Sequence, residues 1–138
     1  MPPRPPLSKG EIEVARAVWE LGEATVGQVF QWFSEDRRMD YAAVQTYLRR
    51  LEAKGYVRAR RSGRTKVYQP KVEPTQVIRE TVDDLMTRLF GGETLPLMLH
   101  LIEQRGITPG ETQQLRQALD AMEAEQERQE QAEQEKDE

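Results

Sequence analysis

Apolar positions recur at helical spacing through the first third of the chain, give way to a short β-prone stretch, and then return to helical spacing. Ile12, Ala15, Val18, Trp19 and Leu21 form an apolar stripe on a predicted helix of about Lys9 to Leu21. Ser8-Lys9-Gly10-Glu11 supplies its capping box, and Gly22 lies just past its end. Thr25 caps a second predicted helix, about Val26 to Ser34, whose inward stripe is Val29, Phe30 and Phe33. The charged bend Glu35-Asp36-Arg37-Arg38 follows. Asp40 then caps a third helix, Tyr41 to Lys54, closed by Gly55. Beyond it, Tyr56 to Arg61 and Thr65 to Gln69 read as two short strands around Ser62-Gly63-Arg64, a hairpin.

Pro70 and Pro74 bracket a hinge. Thr75 is the expected cap of a long helix in which Ile78, Val82, Leu85 and Leu89 keep the seam spacing of paired helices, ended by Gly91-Gly92. A further helix, about Leu95 to Arg105, is apolar on nearly every side. So small a monomer cannot cover it, and a partner chain is its natural cover. Thr108-Pro109-Gly110-Glu111 opens a last helix carrying Leu115, Leu119 and Met122. From Glu123 onward nothing apolar larger than alanine remains, so the tail is either a solvated helical extension or unfolded.

The predicted fold class is therefore mainly α with a small β-hairpin wing. A Pro-rich arm with no reason to fold (1–6) precedes a winged helix-turn-helix (7–71), a helical dimerisation region (72–122) and an acidic Glu/Gln-rich tail (123–138). Charge divides the same way. Residues 1–71 carry 14 Lys/Arg against 8 Asp/Glu, whereas residues 72–138 carry 6 against 16. The first half has the footprint of a polyanion-binding surface, and the second cannot share that task. With no cysteine and His100 as the sole imidazole, disulfides are impossible and a Cys/His metal site lacks ligands. No metal or cofactor and no enzymatic activity are expected. No stretch reaches the roughly 18 apolar residues of a membrane span, and the start lacks the apolar segment of a signal peptide, so a cytoplasmic location without membrane insertion is expected.

At about 100° per residue, Val44, Leu48 and Leu51 of the third helix fall in one arc and must face the core. The opposite arc holds Ala42, Gln45, Thr46, Arg49 and Ala53, with Arg50 and Lys54 on its flank. Alanine and the threonine methyl suit contact with thymine methyls, while Gln45 and Arg49 suit paired hydrogen bonds to purine edges in a major groove. Arg58, Arg60, Arg61, Arg64 and Lys66 crowd the hairpin, where like charges repel unless an anion comes near. A wing against phosphates supplies one, and Arg50, Lys54, Arg60, Arg61, Arg64 and Lys66 are the candidate phosphate contacts. Thr25, Gln28 and the amides opening the second helix are further phosphate candidates. Ile78, Val82, Leu85, Leu89, Leu97, Leu101, Leu115 and Leu119 are the candidate dimer interface. His100 reads as a packed interface histidine, and Trp19 and Trp32 as core or rim aromatics.

Leu7-Ser8 with Val18-Trp19, the stretch Val44-Gln45-Thr46-Tyr47-Leu48-Arg49-Arg50-Leu51-Glu52-Ala53-Lys54-Gly55-Tyr56-Val57, the wing leading to Val67-Tyr68, and Leu89-Phe90-Gly91-Gly92 together resemble the penicillinase-repressor family. That family includes the methicillin-resistance and copper-transport repressors. The resemblance covers about residues 7–122. It implies a homodimer repressing genes from a palindromic operator in double-stranded DNA, with base-reading positions carried onto Ala42, Ala43, Gln45, Thr46 and Arg49. In relatives that control β-lactam resistance, a membrane sensor triggers cleavage by a protease at an Asn-Phe bond in the second C-terminal helix. The matching bond here is His100-Leu101. The copper-responsive branch uses C-terminal cysteines, which this chain does not have. Two rival readings share the same residues: a winged-helix adaptor binding an acidic protein, which predicts no preference among DNA duplexes, and a regulator with a small-molecule pocket between its domains.

Overall fold

A computed structural model describes residues 4–33 and 39–137. The chain divides into two compact units, one up to Gly92 and one from Glu93 onward. The first unit runs α1 (Lys9–Leu21), α2 (Val26–Trp32), α3 (Tyr41–Ala53), β1 (Val57–Ser62), β2 (Thr65–Pro70) and α4 (Pro74–Phe90). The second holds α5 (Thr94–Arg105) and α6 (Pro109–Asp137). The charged bend Glu35-Asp36-Arg37-Arg38 and the end of the second predicted helix at Ser34 lie outside the described residues.

Local signals start the helices as the sequence suggests. Ser8 and Glu11 form a reciprocal capping box on α1, Thr25 and Gln28 another on α2, and the Asp40 carboxylate accepts from the Ala43 amide on α3. Helix α4 differs. Glu73 precedes it without a side-chain cap and Pro74 is its first residue, so Thr75 lies inside the helix rather than capping it. Proline's fixed φ and missing N–H suit that first position.

The core of the first unit is Val14, Ala15, Ala17 and Val18 of α1, Val29 of α2, and Val44, Leu48 and Leu51 of α3, closed by Tyr56, Val57, Tyr68 and Val77. The predicted stripes need three corrections. Ile12 and Leu21 of α1 and Phe30 of α2 are exposed, while Val14 and Ala17 are buried in their place. The inward face of α1 is rotated from the predicted one because two valines and two alanines allow close helix packing, which a large residue there would prevent. Phe30 instead meets Tyr41 edge-on, with ring centroids 5.8 Å apart.

The strands pair antiparallel from Val57↔Pro70 to Ser62↔Thr65, leaving Gly63-Arg64 as a two-residue turn. Gly63 has φ +67° and, among the described residues, no non-glycine residue has positive φ, the pattern of a II′ turn, whose twist matches a hairpin. Ala24, between α1 and α2, exchanges both backbone hydrogen bonds with Tyr68 at 2.8 Å. One bridge thereby docks the root of the wing onto the helices.

An ion pair between a buried carboxylate and a half-buried lysine joins the start of α1 to the end of α3. Glu11 is only 1% exposed, and its Oε1 accepts from Lys54 Nζ at 2.6 Å and from the Ser8 amide at 2.8 Å. Burial alone would raise the Glu11 carboxyl, but the bonds from Lys54 and Ser8 outweigh it and hold it below the ordinary carboxylate range. Lys54 Nζ also donates to the Pro6 carbonyl, Tyr56 Oη to the Pro5 carbonyl, and Arg4 to both oxygens of Glu80. From Arg4 on, the Pro-rich arm is thus fastened to α3, to the start of the wing and to α4, contrary to the expectation that nothing orders it.

In the second unit, Gly106 at φ +71° ends α5, and Thr108 and Glu111 form the expected capping box on α6. Helix α6 continues through the acidic tail for 29 residues, about 44 Å at the usual rise. Of the two forms expected for the tail, the helical one is present. Among the described residues no helix is long and apolar enough to cross a membrane.

The ion pair sets an acid limit. Because the folded Glu11 carboxyl is lowered, its stabilisation is full above about pH 4.3, the unfolded value, and fades as pH falls through the folded one. Replacing Lys54 by Met leaves a buried carboxylate unpaired and is expected to cost about 3 kcal/mol in urea unfolding at pH 7. The deficit should shrink below pH 4 as Glu11 protonates. A deficit that stayed constant across that range would show that the pair does not set stability.

Candidate nucleic-acid interface

The capped N-termini fix where α2 and α3 begin, and the Ala24–Tyr68 bridge fixes the wing beside them. An open groove of about 500 Å³ results, lined by Thr25, Val26 and Gly27 of α2 and its cap, Tyr41, Gln45 and Arg49 of α3, and Arg64, Thr65, Lys66 and Tyr68 of the wing. Residues from three separate segments thus converge on one surface. Gln45 and Arg49, one turn apart on α3, face the same space as the wing cations Arg64 and Lys66. Its polar and cationic lining suits a polyanion whose edges offer hydrogen-bond acceptors.

The electrostatics of the wing point the same way. Arg61 and Lys66 are directly opposed across the strands, and like charges so placed destabilise a hairpin. An approaching anion relieves that repulsion. Burial raises the Tyr68 hydroxyl above its ordinary value, with Glu52 adding to the effect and Arg49 opposing it, so Tyr68 is neutral at pH 7. Arg49 and Lys66 therefore flank an uncharged wall.

The other predicted contacts are distributed unevenly. Ala42 and Thr46 lie exposed on the outer arc of α3 and Ala43 is half-buried beside them. The Thr46 hydroxyl donates to the Ala42 carbonyl at 3.0 Å, which fixes its rotamer and leaves its methyl for apolar contact. Thr25 Oγ1 and Gln28 Oε1 are both acceptors in the cap of α2, so only the Thr25 hydroxyl proton and the Gln28 amide hydrogens are left to donate. Arg50 lies outside the groove, with its guanidinium 5.8 Å from the centre of the Tyr47 ring.

Two cations differ from a simple phosphate-contact role. Lys54 is taken up by Glu11 and the Pro6 carbonyl on the α1-facing flank of α3 and does not line the groove. Arg60 alternates to the opposite hairpin face from Arg61 and Lys66, where it bonds both oxygens of Glu23 at 3.0–3.1 Å. The sequence reading also passed over Tyr41 and Thr65. Tyr41 stands four residues before Gln45 on the same helix face, and that spacing was the available signal.

Comparison with known proteins agrees with the motif reading. The sequence model of the family described as Penicillinase repressor matches residues 7–121. The penicillinase repressor of Bacillus licheniformis is 25% identical over 116 residues, covering 84% of this chain and 91% of that protein. The methicillin resistance regulatory protein MecI of Staphylococcus aureus is 20% identical over 114 residues, 83% of this chain and 93% of that one. Among solved structures, the Bacillus licheniformis BlaI monomeric form in complex with the blaP half-operator is 28% identical, with a TM-score of 0.46, over 54% of this chain and 92% of that one.

The Glu23–Arg60 pair restrains one wing cation. Glu23→Ala is expected to tighten binding to a random-sequence duplex severalfold and to steepen its salt dependence by about one counterion, read by anisotropy at several salt concentrations. An unchanged slope would place Arg60 outside the contact surface.

Proposed function

The chain belongs to the penicillinase repressor family, and on that premise we propose that it is a transcriptional repressor that binds a palindromic operator in double-stranded DNA as a homodimer. The observation that carries this reading is the groove in which Gln45 and Arg49 of α3 meet Arg64 and Lys66 of the wing. Helix α3 enters the major groove, where Ala42, Ala43, Gln45, Thr46 and Arg49 read base edges, while the wing and Arg50 hold phosphates. Thr25 and Gln28 add donors beside the wing. The family is one of repressors, not enzymes.

Residues 7–71 form the DNA-binding domain in this reading, and residues 72–122 the dimerisation region. Dimerisation is supported by apolar surface that a soluble monomer rarely leaves uncovered. On α4, Ile78, Val82, Leu85 and Leu89 are all exposed. Within the second unit, α5 and α6 border an apolar groove of about 810 Å³ whose walls include Leu101, Leu115 and Leu119, and Leu97 is half-buried nearby. A two-fold dimer presents two α3 helices to successive major grooves, hence an inverted-repeat operator. Release follows from proteolysis at His100-Leu101, a bond on an exposed stretch of α5, by a protease activated through a membrane sensor. The protein acts in the cytoplasm.

The deciding experiment is anisotropy of the full chain with a duplex from the region upstream of its own gene and with a shuffled duplex. A preference of about a thousandfold with two protomers per duplex supports an operator-binding dimer. Equal affinity for both duplexes, persisting with sequences selected from random DNA, would overturn it. Arg49→Ala is expected to lose about 1–3 kcal/mol on the operator and relax base preference, whereas Arg61→Ala weakens all duplexes alike and flattens the salt slope by about one. Identical behaviour of the two variants would refute the division between reading helix and wing. For the dimer, Leu97→Asp places an unpaired charge in the interface, and sedimentation should show monomers. A dimer persisting at micromolar concentration would exclude Leu97 from it.

A further inference from the structure

The α1-facing flank of α3 carries an arrangement separate from the groove. Gly10, in the first turn of α1, lies directly against the Tyr47 ring. A Cβ built on Gly10 would come within 2.6 Å of Tyr47 Cε2 and of its hydroxyl oxygen, and closer still to Cζ. No residue larger than glycine fits there with the ring where it stands. Tyr47 in turn lies under the Arg50 guanidinium, 5.8 Å from ring centre to Cζ. The order of contact runs from a glycine of α1, through an aromatic ring, to an exposed cation on α3.

We propose that Tyr47, seated in the space left by Gly10, is a positioning residue that holds Arg50 as a second backbone-phosphate contact, on the opposite flank of α3 from the wing. This rests on the reading of α3 as a major-groove helix. Gln45 and Arg49 face the wing, while Tyr47 lies round the helix against Gly10 of α1 with Arg50 over its ring, so in that reading the two sets address opposite walls of the DNA major groove. An exposed arginine ordinarily loses side-chain freedom when it binds. A ring beneath the guanidinium removes part of that loss beforehand and leaves the planar fork free to donate. The Glu11–Lys54 pair, at the same junction of α1 and α3, keeps the two helices at the spacing the ring requires.

Anisotropy on the operator duplex and on a shuffled duplex, across a series of salt concentrations, tests this with Arg50→Ala, Tyr47→Leu, Tyr47→Phe and Gly10→Ala. Arg50→Ala should weaken both duplexes severalfold and lower the salt slope by about 0.9. Tyr47→Leu should reproduce that loss, Tyr47→Phe should match the unaltered chain, and the operator preference should stay constant throughout. Gly10→Ala, whose methyl displaces the ring while both Tyr47 and Arg50 are kept, should show the same reduced slope. It therefore carries the test if Tyr47→Leu folds poorly. Combining Tyr47→Leu with Arg50→Ala should add nothing to Arg50→Ala alone. Full slopes in both Tyr47→Leu and Gly10→Ala, with the unaltered chain binding normally, would overturn this inference alone. Failure of the unaltered chain to bind any duplex would overturn the repressor reading and this inference with it.

Discussion

A carboxylate that is 1% exposed cannot remain charged beside apolar side chains without donors directed at it, and Glu11 has them from Lys54 and from its own helix cap. The same carboxyl that closes the capping box of α1 thereby receives the last turn of α3. One oxygen serves two elements, so where α1 starts and where α3 ends are settled together. The valines and alanines of α1 pack on Val44, Leu48 and Leu51 in that fixed register, and the outer arc of α3 acquires a defined direction. The arm is drawn into the same junction through Pro5 and Pro6.

Cations of like charge thus take different tasks according to their partners. Lys54 is spent within the fold, Arg60 is shared with Glu23, and Arg4 with Glu80. Arg49, Arg64 and Lys66 line the groove, and Arg61 opposes Lys66 across the hairpin. Exposed pairs such as Arg60–Glu23 are individually weak and exchange readily for a phosphate, whereas the buried pair does not. The surface therefore combines cations that are available at once with others that an arriving polyanion competes for.

The second unit is built on a different balance. Helices α5 and α6 bury no side chain fully, and Leu95, Leu99, Leu101 and Leu119 are all well exposed. Two helices alone have too little surface between them to cover their own apolar faces. The capping box at Thr108 and Glu111, whose hydrogen bonds hold the Glu111 carboxyl below its ordinary value, makes the start of α6 locally secure even so. Local order and apolar exposure coexist because capping acts through neighbours in sequence, whereas burial requires neighbours in space.

What the sequence determined by itself was most of what is fixed within a turn or two of chain, the start of α4 at Pro74 excepted. The caps at Ser8, Thr25, Asp40 and Thr108, the core arc of α3, the hairpin turn at Gly63 and the helix stop at Gly91 all depend on contacts a few residues apart. The division of charge at the wing was legible for the same reason, and a recurring combination of motifs carried the family. The tertiary structure alone decided which face of α1 turns inward, since Ile12 and Val14 are equally apolar and only the space beside α3 selects between them. It alone decided that Lys54 is bound to Glu11, 43 residues away, while Arg49 faces a groove. Charge reads the same for both side chains, and helical period separates arc from flank without naming a partner for either. Their partners come from α1 and from the wing, and pairing across such distances is set by packing, which no local pattern encodes.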